Sequence, residues 1–252
     1  MTARPKAPHL PPGARVDLAV LAVTHTDIGC RRLDDGSLVT FRGIDGVHLA
    51  PGAVATVKVK KYWTYGRPFL SGDVESVRVD VPMLRLEPLK LIALESGEGR
   101  RVHALEHPIP GQGKHRRPLL DAEASFAAGD VPLAFTRAWR LLAKDLRCLG
   151  AHALLGDIAS QRFHRMSRLH YEIALRIADE PIPADFDGLL PWAIESNRPF
   201  LRCLYGYAWA QSKLGNPEDA RRQLLRLLLL DPEDQLGARE LLAELAAGDG
   251  PR

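Results

Sequence analysis

Residues Leu201 to Asp234, LRCLYGYAWAQSKLGNPEDARRQLLRLLLLDPED, read as one unit of about 34 residues with two amphipathic helices around a turn. Few architectures accept such a unit. Large or small apolar positions fall on Leu204, Tyr207 and Ala208 in the first helix. Gly215 and Asn216 supply the turn, Ala220, Leu224 and Leu227 follow on the second helix, and Pro232 ends it. One pair of helices leaves an apolar face uncovered, so it requires neighbours of the same shape to stack on. Two are predicted upstream. In 115–148 the turn is Gly129-Asp130, and Ala122, Ala134, Ala138 and Leu141 mark the packing face. In the next unit Leu155-Gly156, Tyr171, Ala174 and Ile177 match if its turn is one residue shorter, with Ser167 in place of the usual alanine. Leu236 to Ala247 is placed as a capping helix.

The amino-terminal part has a different period. Residues 1–13 form a proline-rich lead, expected to be disordered. Val16, Leu18, Val20 and Leu21 then begin a strand, Asp34-Asp35-Gly36 marks a turn, and Leu38 to Phe41 reads as a second strand. After Pro51-Gly52, Val54, Thr56, Val57 and Val59 alternate loosely with Lys58 and Lys60, and a last strand runs through Phe69 and Leu70 to Val79. Several short strands between glycine turns predict a small closed barrel resembling the OB or TRAM type in spacing, since closure removes exposed edges. Gly72 is placed where that closure needs a bend. The expected fold class is α+β in two domains: a barrel over 14–95, a Gly/Pro/basic linker over 96–118, and an all-α domain over 119–247. Within the helical domain, residues 181–200 hold four prolines and form an insert.

Charge follows the same division. Residues 1–118 carry 18 Lys/Arg against 12 Asp/Glu, a balance of +6, whereas 119–252 carry 16 against 19, a balance of −3. A polyanion would therefore meet the first half. Cys30, Cys148 and Cys203 are far apart and form no Cys-x-x-Cys pair, which points to reduced thiols in a cytoplasmic protein. Nothing approaches the ~18 uninterrupted apolar residues of a membrane span, and no cofactor is expected.

The helical register matches the tetratricopeptide pattern. The block PW…NRPFLRCLYGYAWAQSKLG…DARRQLLRLLLLDPEDQLGAR, preceded by RLHYEIALRIADE, resembles the helical-repeat segment of uncharacterised bacterial proteins and of the suppression-of-tumorigenicity-seven family, over about residues 165–240. The resemblance implies a protein-interaction domain in a bacterial protein and assigns no catalytic residues. It also implies that the first helix of each pair lines a groove. In the third unit the groove positions are Arg202, Tyr205, Trp209, Ser212 and Lys213, and in the first they include Glu123 and Phe126. The second offers Gly150, Ala153, Asp157, Ser160 and Gln161, a shallow surface. Two rings flanked by cations suit a peptide with an acidic or terminal carboxylate. The alternative is that Tyr205 and Trp209 pack against the insert, with Trp192 and Phe200 nearby.

A second constellation lies in the barrel: Lys58, Lys60, Lys61, Tyr62, Trp63, Tyr65, Arg67 and Phe69. Cations for phosphates interleaved with rings for bases are what a barrel needs to hold single-stranded RNA. A hairpin with internal aromatic packing and solvated lysines has the same letters. Phe41 is the one aromatic available for a second platform. A third string, His103-Ala104-Leu105-Glu106-His107, matches H-x-x-E-H of inverted zinc peptidases, but Pro108 and Pro110 interrupt the helix that chemistry requires. No metal site and no catalytic set is expected. The leading expectation is a non-catalytic adaptor that binds a protein or peptide in its groove. RNA binding through the barrel is the alternative, and a zinc hydrolase is a remote one.

Overall fold

The computed structural model describes residues 10–23, 27–43, 49–94, 99–106 and 116–247. The chain forms two compact units, Met1–Arg85 and Leu86–Arg252. The first is a closed barrel of β1 (Arg15–Val23), β2 (Ile28–Arg32), β3 (Leu38–Gly43), β4 (Val54–Tyr65) and β5 (Arg67–Arg78). Its strand order is β1-β2-β3-β5-β4, closing back onto β1, with β3 and β5 parallel and the other pairs antiparallel. The small closed barrel expected from the strand spacing is present, and its strand Ile28–Arg32 is one that alternation did not reveal.

Alternation along the strands fills the interior. Val16, Leu18 and Val20 from β1, Val39 and Phe41 from β3, Val57 and Val59 from β4 and Leu70 from β5 are all buried in one cluster. Each such side chain contributes roughly 1.5–3 kcal/mol. Phe41 is fully enclosed there, so it offers no outer platform. Gly72 faces Val59 across β4 and β5, where the register slips between Val59 and Lys61; a methyl group at Gly72 would collide with the Lys58 carbonyl. Only glycine lets the two strands close at that point. The lead is not all loose, because Leu10 joins the core and the Gly13 N–H donates to the Val59 carbonyl; residues 1–9 lie outside the described residues. A short helix α1 (Val81–Leu84), capped by the Asp80 carboxylate, ends the unit.

The second unit opens with a two-stranded sheet, β6 (Lys90–Ala93) against β7 (His103–Glu106). The strand at 90–93 therefore belongs to this unit, and part of the expected linker is ordered structure. Three helix pairs follow: α2 (Arg116–Ala127) and α3 (Val131–Leu142), α4 (Leu149–Ser160) and α5 (His164–Asp179), α6 (Arg198–Lys213) and α7 (Pro217–Leu230). The final helix is α8 (Ala238–Ala247). Their ends obey local rules. Pro132 and Pro217 sit in first turns, the Asp130 carboxylate accepts from the Leu133 N–H, and Gly129 and Gly215 take the positive φ of the turns. Each helix packs on the next, and α4 also meets α2 and α6.

The insert before α6 is held by the opening sheet. The His103 N–H donates to the Leu189 carbonyl, the Leu189 N–H to the Arg101 carbonyl, and the Leu190 N–H to the Leu230 carbonyl. Arg100 donates to the carbonyls of Asp187, Gly188 and Leu229. Asn197, fully buried, accepts from the Leu105 N–H and donates to the carbonyls of His103 and Pro191. None of these roles could be read from periodicity, since each partner is distant in sequence. No helix among the described residues is long and apolar enough to cross a membrane.

Candidate functional site

The β4–β5 hairpin carries the basic and aromatic residues as one continuous ladder, with Trp63 opposite Phe69, Thr64 opposite Pro68 and Tyr65 opposite Arg67. Gly66 at its tip adopts φ of +68°. The bulge at Lys60 and Lys61 leaves both lysines exposed and rephases the strand, so that Tyr62 turns to pack on the barrel core. Trp63 stacks on Phe69 with centroids 5.4 Å apart and planes 10° apart. The Arg42 and Arg67 guanidinium groups lie over Phe69 at 4.7 and 5.2 Å, and Lys61 lies over Trp63 at 5.5 Å. Asp27 holds both arginines, accepting from Arg42 at 3.0 Å and from Arg67 at 2.7 Å. The hairpin with internal packing is thus real for Tyr62, Trp63 and Phe69, yet Tyr65 at the tip remains 83% exposed.

Beside this arm an apolar cleft of about 320 Å³ runs over β2 and β3. Leu38, Thr40 and Pro68 help form it and Arg67 stands at its rim. Cys30 also lines it, but burial pushes its thiol up to about 12, so it is no nucleophile at neutral pH. The lysines are unequal. Lys60 pairs with Asp73, while Lys58 lies near Glu75, which Arg15 already engages at 2.7 Å. Lys61 has no carboxylate partner among the described residues. Together, the exposed ring, the apolar floor and the rim cations can hold an unstacked base and a neighbouring phosphate.

In the helical unit, Glu123 of α2, Asp157 of α4 and Arg202 of α6 meet. Arg202 donates to Glu123 and to Asp157, both at 2.6 Å, and the Tyr171 hydroxyl donates to the other Asp157 oxygen at 2.6 Å. The Arg202 charge expected to await a ligand carboxylate is therefore satisfied within the protein. Asp157, which the sequence places on the shallow surface of the second unit, occupies the same expected groove position as Glu123 and Trp209 do in theirs. Phe126 is half-buried on the same helix as Glu123.

The remaining groove residues have local partners. Trp209 packs edge-on against His164 of α5 at 5.4 Å, Lys213 lies over the Trp209 ring at 5.3 Å, and the Ser212 hydroxyl donates to the Trp209 carbonyl. Trp192 of the insert instead lies under Arg198, and Phe200 is buried beneath Arg226. Tyr205, half-exposed, faces α8; burial and then the carboxylates of Glu244 and Glu240 push its phenol up. The surroundings of Tyr205 are acidic.

At the third constellation, His103 to Glu106 is a strand, and the His103 ring packs edge-on against Phe186 at 4.9 Å. A zinc site of the H-x-x-E-H kind requires both histidines on one helical face; His107 lies outside the described residues. Among the described residues no group of three or more His, Cys, Asp or Glu side chains could hold a metal ion. Comparison with protein-family models and with curated proteins finds no match for this chain.

Proposed function

We propose that the protein is a non-catalytic binding protein whose barrel holds single-stranded nucleic acid along the β4–β5 arm and the cleft over β2 and β3. The observation that carries this reading is Tyr65, 83% exposed at the hairpin tip beside an apolar cleft. A ring of that exposure contributes little to folding, whereas stacking on a base is worth about 1–3 kcal/mol. Lys61 and Arg67 stand where they can meet the backbone. A cytoplasmic setting fits three buried, unpaired thiols.

Anisotropy of a labelled oligouridylate at low salt tests the reading. Tyr65→Ala is expected to weaken binding about 5- to 100-fold with the fold intact. Lys61→Ala is expected to flatten the dependence of log K on log salt by about 0.7, the share of one phosphate. Wild-type protein that leaves the oligomer free at low salt would end this proposal.

A second reading, the adaptor with a tetratricopeptide-like groove, is supported by the acidic surroundings of Tyr205. Glu240 and Glu244, one helical turn apart on α8, have no cation partner among the described residues. A protein segment bearing Lys or Arg beside an apolar residue would complement them. On a peptide array, enrichment for basic peptides that disappears in Glu240→Gln/Glu244→Gln supports this reading. An unbiased array removes it.

A further inference from the structure

A second cleft of the barrel, of about 550 Å³, is formed where β2 and its turn meet α1 and the residues around it. It lies beside the first in register: Arg31, which lines it, pairs across the ladder with Leu38, which lines the cleft under the hairpin. Three arginines face it, and their states differ. Arg32 is buried and held by Asp34 and Asp35. Arg31 donates through one terminal nitrogen to the Leu84 carbonyl at 2.6 Å, which fixes its guanidinium beside Arg85, and it has no carboxylate partner among the described residues. Arg85 is exposed, also lacks such a partner, and holds a left-handed backbone, φ +54° and ψ +44°. Glycine or asparagine fits that conformation more easily, so the arginine side chain stands there against a backbone preference. Asp80, which also lines the cleft, is committed to capping Met83 and to Arg78.

Two uncompensated guanidinium groups, one of them held in place, facing one cleft with Pro82 and Met83 as an apolar wall, suit an oxyanion attached to a larger body. We infer that the Arg31–Arg85 cleft is a phosphate subsite for the same single strand whose bases lie across β2 and β3. This rests on the nucleic-acid reading above and extends it by a second contact zone that the hairpin does not supply. It fixes where the strand goes after leaving the hairpin cleft, since Leu38 and Arg31 stand side by side on neighbouring strands. An acidic protein segment is the competing occupant.

Labelled oligouridylates of about 4 and about 12 nucleotides distinguish the two contact zones. Arg85→Gly, which relieves the backbone, is expected to weaken the longer oligomer several-fold and to flatten its salt slope by about 0.7, and Arg31→Gln with it by about 1.4. Arg85→Lys is expected to restore most of the slope, because it keeps the charge. A double variant that binds the longer oligomer with wild-type affinity and slope overturns the subsite. Displacement of the oligomer by polyglutamate as efficiently as by unlabelled oligouridylate overturns it in favour of an acidic segment. If wild-type protein binds neither length, Tyr65→Ala is silent as well and the nucleic-acid reading itself falls.

Discussion

Tyr171 of α5 is wedged between two helical glycines, Gly156 of α4 and Gly206 of α6, where a methyl group at either position would overlap its ring. Its hydroxyl reaches Asp157, which in turn holds Arg202, so the close approach of three helices and the Glu123–Asp157–Arg202 cluster share one side chain. Gly206→Ala should gain about 1 kcal/mol of helix propensity yet lose roughly 1–3 kcal/mol through overpacking. A lower denaturant midpoint with an unchanged slope would establish the net loss. Arg202→Ala should cost about 1–3 kcal/mol, since it leaves Glu123 and Asp157 facing one another without a cation, discounted for partial solvent exposure. If equilibrium unfolding of that variant matches wild type, the cluster is not structural.

At the scale of elements, the β4–β5 hairpin shows how much of a site can be read from letters. Alternation identified the strands, and the run from Lys58 to Phe69 marked a basic aromatic arm. What alternation could not give is the bulge at Lys60 and Lys61, which sends Tyr62 inward and stacks Trp63 on Phe69. A bulge shifts every later side chain by one face, and nothing local in the sequence announces it. Gly72→Ala is expected to destabilise the barrel by several kcal/mol, because the obstructing atom is the Lys58 backbone carbonyl and cannot swing aside. Near-wild-type thermal stability for that variant would contradict the account of closure. In the helical unit the turns at Gly129 and Gly215 were legible for the opposite reason: positive φ and a capping aspartate are local chemistry.

Across the whole molecule, buried titratable groups are unevenly placed. His152 of α4 and His170 of α5 are fully enclosed in the helical unit, with Nδ1 to Nδ1 at 3.4 Å, and the His152 Nε2 lies 3.1 Å from the Leu146 carbonyl. Burial carries His152 down from 6.5 to about 4, and burial together with His152 carries His170 well below its usual value. Both are therefore neutral in the folded state while the unfolded chain takes up protons. Stability is whole above about pH 6.5 and falls as pH drops toward 4, by about 1.4 kcal/mol per pH unit for each histidine. Lowering the pH from 7 to 5 should therefore lower the melting temperature of the helical unit. A His170→Leu variant should lose part of that pH dependence, and equal acid sensitivity in wild type and variant would refute the assignment.

Local sequence is enough to place the change from strand period to helical period, the turns at Gly129 and Gly215, and the apolar faces of the helices. Those properties follow from backbone geometry and apolar spacing within a few residues. Tertiary structure alone decided which charges are already satisfied. Arg202 finds Glu123 at a separation of 79 residues and Asp157 at 45, whereas Arg42 and Arg67, from two strands, share the one carboxylate of Asp27. It also leaves Arg31 and Arg85 at one cleft without a carboxylate partner among the described residues. The spacing of a residue fixes the direction its side chain points, but its charge is neutralised or left over according to what another element places opposite, and that partner is set only when the chain has packed.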